Sequence, residues 1–195
     1  QLTNNLRVIR HAWHFYYALV LVIKVVCGSI VLRASHLNWA LSVFGVNMAD
    51  TKFKNSKFSF PENWKRASNG GVVGKDKYRP DISVKDNNGN YILVMESTSA
   101  GDRKVGVGEL LQADKFFRDE KVRGILIFSL CGQSATSPRK ETQKDYIEPY
   151  FNYLAQCDSE YGVKSVYFIQ EQDFKAINWS VLNEEFKSKC LEINA

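Results

Sequence analysis

Cysteine occurs four times in 195 residues (Cys27, Cys131, Cys157, Cys190) and never as a CxxC pair. The three histidines, His11, His14 and His36, all lie in the first 36 residues. A structural zinc site needs thiolate and imidazole ligands at short spacing, and a disulfide framework needs clustered pairs; the scatter argues against both. Reduced thiols in a cytoplasmic protein are the expectation. Also missing are GxxxxGK[ST], GxSxG, HExxH and a GxGxxG following a strand. Those absences remove P-loop, serine-hydrolase, zincin and dinucleotide chemistry. No repeat or low-complexity tract is present. Acidic residues are absent from positions 1–49.

What is there fits one globular domain: 45% apolar and 24% charged residues, with a net charge of +5. The charge is uneven. Residues 1–79 carry 12 Lys/Arg against 3 Asp/Glu, and residues 80–195 carry 14 against 18. Ala12 to Leu32 is an apolar run broken by His14 and Lys24. It is long enough to span a bilayer, but a lysine near its middle costs roughly 2.5–3.5 kcal/mol. Three readings stay open for residues 1–47: a membrane anchor or uncleaved signal, a buried helix, or a non-native extension ahead of Met48. From Met48 to Ala195 the composition is that of an ordinary charged domain. Without the segment before it the net charge falls to about +1, so overall basicity carries little weight. A local basic stretch remains, from Lys52 to Arg79, interleaved with Phe53, Phe58, Phe60, Trp64 and Tyr78. Its lysines and arginines can neutralise phosphates while the aromatics stack on bases. Alternatively, it is a solvated loop whose aromatics turn to the core.

The chemistry-bearing segment is Arg79 to Phe117. Ile82-Ser83-Val84 alternates as a half-buried strand does. Asp86 to Asn90 is a hairpin signal, because Asn and Gly tolerate positive φ. Tyr91 to Met95 reads as a strand buried on both faces. A helix is expected over Val105 to Arg118, with Gly106 and Gly108 weakening its first turn. A buried strand follows at Gly124 to Leu130, then a helix over Glu141 to Cys157 with Pro149 inside it. A strand at Val163 to Ile169 and a last helix capped by Ser180 complete the order. Helices between strands imply crossovers and a mixed α/β sheet. Asp81 opens one strand and Glu96 closes the next, and two carboxylates on neighbouring strand ends can hold a divalent metal against a phosphodiester.

Pro80-Asp81, the Asn-Gly turn and Glu96 at the end of a buried strand together resemble the PD-(D/E)XK nuclease-like superfamily. The resemblance covers roughly Arg79 to Leu130. It implies a restriction-endonuclease-like fold, a mixed β-sheet flanked by helices, and a DNA endonuclease of restriction or repair type. By that resemblance Asp81 and Glu96 bind Mg²⁺ or Mn²⁺. The family's lysine two residues after the glutamate is Thr98 here. A threonine hydroxyl can hold a water but brings no positive charge, so Lys104 is the expected substitute and Arg103 a phosphate clamp. Gln112 with Phe116 is similar to the Q-x-x-x-Y pattern of RecB-like nucleases. Lys75, Lys77, Arg79, Arg103 and Gln112 are the expected nucleic-acid contacts. Glu109 either extends the metal site or faces solvent, and Glu62 is a candidate extra carboxylate. DNA is the expected partner, and a homodimer fits because one active site cuts one strand. Thr98 also supports an alternative: a degenerate, non-cleaving module on the same fold that binds nucleic acid or a protein.

Overall fold

The computed structural model describes residues 46–61, 63–132, 137–157 and 160–194. The apolar run at 12–32, with the three readings of the N-terminal segment, lies outside the described residues, as does Glu62. Among the described residues no helix is long and apolar enough to cross a membrane.

The elements are α1 (Val46–Asn55), β1 (Lys65–Asn69), β2 (Ile82–Lys85), β3 (Tyr91–Thr98), α2 (Arg103–Asp119), β4 (Arg123–Leu130), α3 (Lys140–Cys157), β5 (Gly162–Gln170), α4 (Glu171–Ala176), α5 (Glu184–Lys189) and β6 (Leu191–Asn194). The fold is α/β, as the alternation of strand-like and helix-like segments predicts. Six strands form one mixed sheet in sequence order, β1 to β6. β1, β2 and β3 pair antiparallel, β3, β4 and β5 parallel, and β6 antiparallel on β5. The two parallel steps are made by α2 and α3, since a parallel partner needs a crossover.

Strand alternation divides the core into two layers. Val94, Leu126, Phe128 and Phe168 face Leu110, Phe117, Ile147 and Phe151 of α2 and α3. Leu93, Met95, Ile127 and Ile169 face the other way, toward Phe53, Phe174, Ile177 and Phe186. The central strands are therefore apolar on both faces, which is why their sequences run continuously hydrophobic.

One sequence expectation changes. Ser180 does not cap the last helix; Asn183 does, its Oδ1 accepting from the Phe186 amide at 2.7 Å. Pro149 sits inside α3, which runs through to Cys157 as expected. Gly106 does more than weaken α2. A Cβ there would lie 3.0 Å from Ile147 Cδ1, so glycine lets α2 approach α3 closely. The aromatics of the basic stretch turn inward: Phe53 and Tyr78 are buried, and Phe58, Phe60 and Trp64 pack partly against the core.

Gly124 at the start of β4 is the tightest packing point. A Cβ there would land on the ring of the fully buried Phe117. Gly124→Ala is expected to destabilise the domain by about 3 kcal/mol, at the upper end for overpacking. Urea unfolding measures it, and an unchanged midpoint would contradict the packing described.

Candidate active site at the ends of β2 and β3

Because β2 and β3 run antiparallel with Ile82 opposite Met95, Asp81 and Glu96 meet at one end of the hairpin. Both are buried. Their side chains interlock through backbone amides. The Asp81 N–H donates to Glu96 Oε2 at 3.2 Å, and the Ser97 N–H donates to Asp81 Oδ2 at 2.7 Å. Each carboxylate is thus oriented by the strand that carries the other.

The loop before β2 closes the site from one side. Tyr78 is buried and its hydroxyl donates to Glu96 Oε1 at 2.6 Å. Burial, then the neighbouring carboxylate charges, push the Tyr78 hydroxyl well above its usual range, so it stays a proton donor. Phe116 of α2 packs on Tyr78 and Tyr91, with ring centroids 5.6 and 5.0 Å away.

A lysine reaches the pair, and it is Lys54 of α1. Its Nζ lies 2.9 Å from Asp81 Oδ1. Three features hold it there. Phe53 beside it is fully buried in the core. Arg66 of β1 donates to the Lys54 and Ser56 carbonyls at 3.1 and 2.6 Å, fixing the end of the helix. The Lys54 stem crosses Gly70, where an added Cβ would lie 3.2 Å from Lys54 Cε. Gly70 has φ +68°, and its amide donates to the Asp81 carbonyl at 2.8 Å. A residue with a Cβ would be both strained there and in the lysine's path.

Glu109 of α2 brings a third carboxylate. Its Oε2 is buried with no hydrogen-bond partner among the described residues. Burial first, then the charge of Asp81, raises its pKa to about 7. The same two causes, in the same order, raise Glu96 to about 8, against the opposing bonds from Tyr78 and the Asp81 amide. The Asp81 charge thus bears on two poorly solvated carboxyls, Glu96 and Glu109, with the Lys54 ammonium on Asp81. An excess of negative charge in low dielectric favours either protons or a cation.

The other expected site residues fall as follows. Thr98 is buried at the end of β3, and its Oγ1 accepts from the Ala100 amide at 3.2 Å. Lys104 is exposed in the first turn of α2; its backbone amide donates to the capping Asp102 at 2.9 Å. Arg103 lies over the Tyr146 ring, 5.7 Å from its centroid. Lys75, Lys77 and Arg79 are exposed on the loop that carries Tyr78. Gln112 is exposed on α2, and it lines a hollow of about 60 Å³ together with Lys75 and Tyr78. The structure thus brings together Asp81 and Glu96, and separately Lys75 and Gln112.

Sequence reasoning missed Lys54 and Tyr78 as site residues. Tyr78 had a usable signal, an aromatic two residues ahead of Pro80-Asp81. Lys54 had none beyond its place beside a phenylalanine, because its contact with Asp81 is purely tertiary.

Hard oxygen donors are what Mg²⁺ and Mn²⁺ take, and the orphaned Glu109 Oε2 fits such a cation. Among the described residues, no group of three or more His, Cys, Asp or Glu side chains is arranged as a ready metal shell. Mg²⁺ does not require one, since it keeps several waters and is held by one or two carboxylates with substrate phosphate. No family model matches the chain, and no curated protein or solved structure matches it.

Proposed function

We propose that this chain is a divalent-metal-dependent nuclease of the PD-(D/E)XK type, with a restriction-endonuclease-like fold, that hydrolyses DNA phosphodiester bonds. One observation carries the reading: the interlocked Asp81 and Glu96 on neighbouring strand ends, with the Lys54 ammonium 2.9 Å from Asp81. Asp81 and Glu96 would hold Mg²⁺ or Mn²⁺ with waters completing the shell, and Glu109, whose carboxyl feels the Asp81 charge, would add to the negative field around it. Such a cation, when bound, polarises a phosphoryl oxygen and acidifies a water. The protein's part is positional and electrostatic. Tyr78 and the Asp81 amide fix the Glu96 carboxylate. Lys54 supplies the positive charge that Thr98 lacks, offsetting charge that develops on the phosphoryl oxygens. Exposed Lys75, Lys77 and Arg79 hold the DNA backbone beside the site.

The test is incubation of the full chain with supercoiled plasmid. Nicked or linear product is expected with Mg²⁺ and none with EDTA. No cleavage with either Mg²⁺ or Mn²⁺ would overturn the reading. A second reading has its own support. Thr98, buried with its hydroxyl accepting from the Ala100 amide, leaves the position two residues after Glu96 without a positive charge, as in a non-cleaving binding module. Plasmid retention in a gel without cleavage favours that reading.

A further inference from the structure

A second site lies at the opposite end of the parallel strands, on the face away from α2 and α3. It is a cleft of about 500 Å³ lined by Trp64, Arg123, Lys164, Ser165, Tyr167 and Lys187, among others. Ile125 and Tyr167 make its apolar floor on β4 and β5. No aspartate or glutamate lines it among the described residues. Arg123 and Lys164 are exposed, and no ion pair of either is seen among the described residues. Lys187 shares its ammonium with Glu184 at 3.4 Å, and Glu192 with Ser165 flanks the Tyr167 hydroxyl.

The strand geometry that places Lys164 is unusual. Gly124 pairs with Val163, yet Ile125 pairs with Ser165, so Lys164 is the extra residue of a β-bulge. Val163 and Val166 both face the helix-side core. The two residues between them, Lys164 and Ser165, therefore both line the cleft. In an unbroken strand, successive side chains point to opposite faces. Bulges are rare in parallel pairs, and next to functional sites they re-aim a side chain. Here the bulge adds a cation beside Arg123 without displacing the apolar floor.

We propose that this cleft binds a nucleoside 5′-monophosphate group, either free or at the 5′ end of a DNA strand. Its volume is in the range of small-molecule sites. The paired cations Arg123 and Lys164 receive the phosphate, with Arg123 able to bind it through two N–H groups. Half-buried Trp64 and the Ile125–Tyr167 floor offer flat apolar surface to a base. This goes beyond the nuclease reading and does not depend on it.

Calorimetric titration of the full chain tests it with adenosine 5′-monophosphate, adenosine, inorganic phosphate, and a short oligodeoxyadenylate with and without a 5′ phosphate. Saturable binding of adenosine 5′-monophosphate at or below about 1 mM is expected, with adenosine and phosphate each about tenfold weaker. The double substitution Arg123→Gln, Lys164→Gln alters two exposed side chains and is expected to weaken binding about tenfold or more. Asp81→Asn is expected to leave binding unchanged, which separates this cleft from the carboxylate site. Tighter binding of the phosphorylated oligonucleotide than of the mononucleotide assigns the strand end, and weaker binding assigns the free nucleotide. The proposal is overturned if adenosine 5′-monophosphate does not saturate or if the double variant binds it equally well; an oligonucleotide that binds equally with and without its phosphate assigns the free nucleotide.

Discussion

Asp81→Asn is expected to lower Mg²⁺-dependent DNA cleavage by about 10³-fold, and Lys54→Met by about 10²- to 10³-fold. Lys104→Met is expected to stay within about twofold of the parent chain, because that side chain is exposed and makes no ion pair with the carboxylates. The contrast between the two lysines is the informative part. Asparagine keeps the hydrogen bond from the Ser97 amide but removes the charge that a cation needs. Methionine at position 54 keeps the stem over Gly70 but removes the ammonium from Asp81 Oδ1. Single-turnover cleavage at saturating enzyme measures both effects without confusion from DNA affinity. If Lys104→Met is the damaging change and Lys54→Met is silent, the positive charge comes from α2 and the assignment of Lys54 fails.

The metal-free protein is expected to lose stability as pH rises from about 5 to about 8, and Mg²⁺ to restore it. Glu96 is raised from 4.5 to about 8 and Glu109 from 4.5 to about 7, in both cases by burial first and the Asp81 charge second. The folded state therefore holds protons that the unfolded chain has already released. That contribution is fully present below the unfolded value near 4.5 and is lost as pH climbs through about 7 and 8. A tenfold difference in proton affinity between folded and unfolded chain is worth about 1.4 kcal/mol, so the combined loss is several kcal/mol. For a domain of this size it lowers Tm on the order of 10 °C. A divalent cation supplies the missing positive charge, so millimolar Mg²⁺ raises Tm strongly at pH 8 and little at pH 5. The pair Glu96→Gln and Glu109→Gln flattens both dependences. A metal-free Tm that is level or rising across this range, with no effect of Mg²⁺, would contradict the charge balance described.

The strands that carry the carboxylates were legible in the sequence for concrete reasons. Ile82 to Val84, the Asp86 to Asn90 turn and Tyr91 to Met95 each carry a strong local signal, and β2 and β3 form where those signals lie. The apolar stretches of β4 and β5 and the periodic face of α2 are equally plain. What escaped is what depends on neighbours. β1 is Lys-Arg-Ala-Ser-Asn, an edge strand with no large apolar residue, and it exists by pairing with β2. β6 spans only four residues and α4 six, too short for a periodic pattern to show, while the expected last helix is present but starts later, at Glu184 after its cap Asn183.

The site divides in the same way. Asp81 and Glu96 are marked by their strand ends. Tyr78 and Glu109 are near enough in sequence to be weighed, and the structure turns a buried oxygen of Glu109 away from solvent. Lys54 reaches Asp81 only because Phe53 is drawn into the core and Arg66 ties down the end of α1. Those are long-range packing facts that no local window contains. The basic stretch was ambiguous because the same interleaving suits stacking on bases or burial. Burial won for the aromatics, leaving the exposed lysines and Arg79 to face any phosphate.

The central claim is that Asp81 and Glu96 form a divalent cation site. Titration of the full chain with Mn²⁺ at pH 8, followed by water-proton relaxation, tests it most directly. The account predicts saturable binding at millimolar Mn²⁺ or below, weakened about tenfold or more by Glu96→Gln and competed by Mg²⁺. Absence of saturable binding, or equal affinity in the parent chain and Glu96→Gln, would contradict it.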